Sequence, residues 1–183
     1  MPTYVVLLRA VNVGGTGKLP MADLRKLLVE LGFSKIETYI QSGNAVFDAR
    51  GSAKSVAKAI AGALEKHMGS PVGVVVRTHD ELGRIIAKNP FAAEAAADGA
   101  RVHVAFLAGP AGKDAHAALE QIVVKYPNRR DRFHLAVDTL YLHLPDGAGE
   151  TKFSGKTLDR AMGVIGTGRN WNTVLKLHAM SER

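Results

Sequence analysis

IETYIQSGNAVFD, residues 36–48, is the stretch whose reading decides the fold. Ile36–Gln41 and Asn44–Asp48 are rich in β-formers, and Ser42-Gly43 between them is turn chemistry, which predicts a hairpin. Working outward, each side presents a helix. Upstream, Met21, Leu24, Leu27, Leu28 and Leu31 recur at helical spacing. Pro20 suits the first turn there, and Gly32 the stop. Downstream, Val56, Ile60, Ala63, Leu64 and Met68 make an apolar stripe over 53–68, closed by Gly69 and Pro71. One step further out lie two β-branched, apolar runs, Thr3–Arg9 and Val72–Arg77.

The order strand, helix, two strands, helix, strand is the ferredoxin-like plait, and it is predicted to occur twice. A connecting helix is predicted over His79–Ala87. The alanine-rich stretch Ala92–Ala100 offers little to bury and reads as a hinge or mobile loop. Strands then follow at Arg101–Leu107, Arg132–Val137, Leu140–Leu144 and Val164–Thr167. Helices intervene at Asp114–Val124 and Ser154–Met162, and a last one is predicted over Thr173–Met180 with Asn172 as its N-cap. The halves share no convincing residue-level identity. The expected architecture is α+β, two ferredoxin-like lobes in tandem plus a C-terminal helix. Its parts are a first lobe at 1–78, a connecting helix and loop at 79–100, and a second lobe with the last helix at 101–183.

Composition narrows the chemistry. Hydrophobic residues make up 46% and charged residues 22%, which is globular rather than disordered composition. The chain has no cysteine, which excludes disulfides, thiolate nucleophiles and cysteine-based zinc sites. The apolar run near the start is cut short by Arg9 and no basic segment precedes it, so a membrane span or a secretory leader is not expected. A cytoplasmic location is expected. The net charge of +7 favours an anionic partner and is weighted to the first half, +5 over residues 1–90 against +2 over 91–183. The short basic cluster Arg129, Arg130 and Arg132 reads as solvated surface.

Three segments hold the candidate functional residues. The loop Asn12–Lys18 carries Gly14, Gly15 and Gly17 from a strand into a helix. It reads either as a tight turn needing positive φ or as an anion cradle completed by Lys18. It matches neither a Walker P-loop nor a dinucleotide fingerprint. Gln41-Ser42-Gly43-Asn44 reads as a hairpin turn. A nucleophilic Ser42 would need a base, and no histidine precedes His67. The segment Thr167–Thr173 holds Arg169, Asn170 and the single tryptophan, Trp171. It reads either as an anchor for the last helix or as a clamp on carboxylate or phosphate.

Strand parity in the second half sets Val102, Val104 and Phe106 on one face and Arg101 and His103 on the other. The same alternation leaves Arg132, His134, Tyr141 and His143 opposite their apolar neighbours. A row of His103, His143 and His134 on the helix-free face follows, read as a polar or partner-binding surface rather than a metal site. Asn44 and Val46 stand where an RNA-recognition sheet stacks bases on aromatics, so that mode of RNA binding is not expected.

The segments LLRAVNVGG with LPMADLRKLLVELGF, TYIQSGNAVF, Asn89-Pro90-Phe91 and TGRNWNTVLKL together resemble the domain of unknown function 1697 family, from about Thr3 to about Leu177. Ala10 departs from the glycine this family usually places there. The resemblance implies two ferredoxin-like lobes in the cytoplasm and no established activity. The expectation for function is a module binding an anionic or phosphate-bearing small molecule, in a cleft formed by the 12–18 loop and the 167–173 segment. Arg9, Asn12, Gly14, Gly15, Lys18, Ser42, Asn44, Arg169, Asn170 and Trp171 are its candidate residues. No catalytic residue is assigned, and no metal, cofactor or membrane partner is expected. An enzyme acting on such a ligand, a weak nucleic-acid binder and a protein-interaction module are the alternatives.

Overall fold

The computed structural model describes residues 1–15 and 17–183. Thr16, inside the candidate loop, lies outside the described residues. The chain divides into two units, Met1–Ile86 with Leu175–Arg183, and Ala87–Val174. The connecting helix thus falls almost wholly in the first unit, and the last helix begins in the second and ends in the first.

The first unit runs β1 (Thr3–Leu8), α1 (Met21–Glu30), β2 (Ser34–Tyr39), β3 (Asn44–Asp48), α2 (Ala53–Met68), β4 (Val74–Thr78) and α3 (His79–Ala87). Its sheet has the order β2-β3-β1-β4 and is antiparallel throughout. Alternation along β1 turns Tyr4, Val6 and Leu8 toward the helices, where they meet Ala45 and Phe47 from β3 and Leu24, Leu28, Val56, Ile60 and Leu64 from α1 and α2. Sequence-local chemistry fixes the ends of α2. Ser52 Oγ accepts from the Ser55 amide at 3.1 Å, and Gly69 leaves the helix at φ 77°.

The second unit repeats the plan. After α4 (Ala92–Ala97) and a 3-10 turn at Gly99–Arg101 come β5 (Val102–Leu107), α5 (Ala115–Lys125), β6 (Arg132–Leu135), β7 (Thr139–His143), α6 (Gly155–Met162), β8 (Gly166–Asn170) and the start of α7 (Trp171–Met180). The sheet order β6-β7-β5-β8 mirrors that of the first unit. The two units also share a buried arginine in equivalent places. Arg77 on β4 pairs in register with Val5, and Arg169 on β8 with Val104. Each donates from Nη1 to the carbonyl of the residue before it, at 3.0 and 2.8 Å. Among the described residues no helix is long and apolar enough to cross a membrane.

Four local expectations are corrected. Ala92–Ala100 is a helix and a 3-10 turn, not a mobile loop. Alanine pays the least to enter a helix, and Phe91 and Ala95 are buried at its start and middle. The last strand is Gly166–Asn170 rather than 164–167, because ladder pairing with β5 extends through the glycine-containing stretch that reads as a loop. The last helix starts at Trp171, and its cap is Asn170, whose Oδ1 accepts from the Thr173 amide at 3.0 Å. The histidine row is broken. His103 pairs with Leu142 and so lies on the helix-side face with Phe133, whereas His134 pairs with Tyr141, and His143 with Val102 and Arg132, on the other. Strand β5 is apolar on both faces, so parity alone could not say which set meets the helices. On the helix-free face Tyr141 is only 2% exposed, whereas Arg132 and His134 are exposed.

Candidate functional site

Seven of the candidate residues gather at one end of the first sheet, where the β1–α1 loop meets the β2–β3 turn. The two segments are tied by backbone and side chain. The Leu8 amide donates to Gly43 O at 2.8 Å, and Asn12 Nδ2 donates to Gln41 O at 2.7 Å. Asn12 closes the loop on itself as well: Nδ2 donates to Leu19 O at 2.7 Å and Oδ1 accepts from the Leu19 amide at 2.8 Å. Below the turn, fully buried Asn44 donates from Nδ2 to Tyr39 O and to Ser42 Oγ, each at 3.0 Å. The asparagines and Ser42 therefore build the rim.

What the rim displays is backbone. Ala10, Asn12 and Gly14 have positive φ, of 55°, 55° and 61°, while the residues between them do not, so the sign of φ alternates from Arg9 to Gly14. Such alternation is the backbone pattern of a nest of N–H groups; here the Asn12 amide closes the loop by donating to Gly17 O at 2.9 Å. Gly15 and Gly17 continue at 76° and 61°. A Cβ at Gly14 or Gly15 would meet nothing within 4 Å, so this part of the loop is open. At Gly17 a Cβ would collide with Ala10 O, so only glycine fits there. Lys18 is exposed and Arg9 half-buried. No side chain caps the N-terminus of α1. Val13 and Ile40 are exposed beside the loop, and Ile40 is held at φ 50°, a rare conformation for a β-branched residue.

The other three candidates sit in the second unit, on β8 and the start of α7, and each has structural work there. Arg169 is buried and donates from Nη1 to Thr167 Oγ1 at 2.7 Å and to Gly168 O. Burial pushes its guanidinium pKa down to about 10. Asn170 caps α7, and Trp171 is buried at its first turn.

Sequence reasoning missed a constellation in the first unit. His79 and His178 stack with ring centroids 4.2 Å apart and planes 12° from parallel. Ser181 Oγ donates to His178 O at 2.7 Å, which leaves it to accept from His79 Nδ1 at 2.9 Å and fixes the His79 tautomer. The partners are about a hundred residues apart in the chain, and no spacing signal announces them. Among the described residues no group of three His, Asp or Glu side chains converges as a metal site.

The family model described as protein of unknown function (DUF1697) matches residues 1–141, which take in the candidate loop and the first six strands. The chain belongs to the DUF1697 family. A conserved bacterial protein from Streptococcus pneumoniae has a similar solved structure, with a TM-score of 0.71 at 22% identity over 99% of each chain. That likeness speaks for the fold alone. No curated protein matches the chain. For this DUF1697 member the departure at Ala10 has a physical meaning: the position is left-handed, where glycine sits without strain.

Proposed function

We propose that this DUF1697 protein binds an anionic or phosphate-bearing small molecule at the β1–α1 loop, with the backbone at Gly14 and Gly15 as the cradle and Lys18 as the charge. The observation that carries the reading is the alternating sign of φ over Arg9–Gly14, next to two glycines whose outer side is open. The Asn12 amide, donating to Gly17 O, fixes the loop that presents the two glycines, and the uncapped N-terminus of α1 adds a favourable dipole. The excess positive charge of the first ninety residues supports the same partner class. Arg9, Asn12, Ser42 and Asn44 act in this reading as the frame that holds the cradle. Arg169, Asn170 and Trp171 serve the second unit's own packing, so the loop does not need them as ligand groups.

Calorimetry against a panel of phosphate esters tests the proposal. A hit is expected to weaken about tenfold in Lys18→Ala, the loss of one charge-assisted contact. Lack of any binder, or a hit that Lys18→Ala leaves unchanged, would remove the support for this site.

A further inference from the structure

We propose that the second unit holds a single ordered water molecule bridging Asp131 and Arg129, a site independent of the β1–α1 loop. Both carboxylate oxygens of Asp131 are buried without a hydrogen-bond partner, and so is Arg129 Nε. The residue is 8% exposed overall. Both side chains line one small pocket, partly open to solvent, together with Ile122, Val123, Tyr126, Lys152 and Phe153, with about 10 Å³ of space. That is the room one water needs. A buried acceptor and a buried donor that face one cavity and miss each other call for a molecule that accepts from one and donates to the other, because leaving either unsatisfied is costly.

The other occupants fail on chemistry. A divalent cation wants six or more oxygen ligands, and here one carboxylate shares the cavity with two cationic side chains. An anion would meet the Asp131 carboxylate. A larger neutral molecule does not fit the volume. Direct pairing of Arg129 with Asp131 is opposed by the hold of Glu150 on the same guanidinium, with Nη2 3.8 Å from Oε2. The water would then fasten the turn that begins where the Arg129 amide meets Tyr126 O, just ahead of β6. The basic cluster that reads as plain surface in the sequence would thus have one member, Arg129, anchored inward.

A crystal structure of the full chain at about 1.5 Å resolution tests this. The expected result is one density peak about 2.6–3.1 Å from both an Asp131 oxygen and Arg129 Nε. In an Asp131→Leu variant that peak is expected to vanish. An empty cavity, a guanidinium turned directly onto the carboxylate, a peak at metal-ligand distance, or a water that persists in Asp131→Leu would each overturn the proposal.

Discussion

At the scale of single residues, the loop shows how one side chain can be read two ways. Asn12 is polar, sits beside glycines and looks like a ligand donor in the sequence. In the structure its amide is occupied by Leu19 and by Gln41 O. Asn12→Ala strips three hydrogen bonds and is expected to cost about 2–3 kcal/mol in urea unfolding. A loss below about 0.5 kcal/mol would mean that water replaces the amide at no cost. Ala10 gives the opposite test. Its φ of 55° strains an L-residue, so Ala10→Gly is expected to raise stability by about 0.5–1 kcal/mol, with relief of strain exceeding the entropy of the added glycine. A destabilised Ala10→Gly protein would contradict that. None of this was legible beforehand, because an amide's partners and a residue's φ depend on the closed loop rather than on composition.

Elements were more legible than their details. The apolar stripe and the caps of α2 place it at Ala53–Met68 from sequence alone, and the hairpin strand Asn44–Asp48 is equally plain. Misreadings fell where local pattern and tertiary pairing part. Strand β8 contains two glycines and an arginine, yet lies in a ladder because β5 offers it an edge. The end of α7 carries a consequence for pH. His178 is held below the ordinary histidine value by burial and then by the neighbouring His79, with Glu182 opposing. His103 is lowered by burial and then by Arg101. Both favour the neutral form when folded, so at acid pH the unfolded chain binds more protons. Stability is therefore complete above about pH 6.5 and falls as pH drops below it. The melting temperature is expected to fall between about pH 7 and pH 5, and His178→Gln is expected to flatten that fall. An equally steep fall in His178→Gln would place the sensitivity elsewhere.

At the scale of the whole molecule, the duplication predicted from element order is present in two sheets of identical strand order, down to the buried pair Arg77 and Arg169. Sequence comparison of the halves misses this pair because an arginine within an apolar run, as in VVVRT, reads as a solvent-facing exception. The candidate cradle belongs to one copy of the repeat. The corresponding connection of the second unit, after β5, contains no positive-φ residue among those described between Leu107 and Ala115. Proton–nitrogen NMR with pyrophosphate as the titrant tests this most directly. Saturable shifts confined to the amides of residues 10–18 are the predicted result. Shifts scattered over surface lysines and arginines without saturation, or no shift at Gly14 and Gly15, would contradict it.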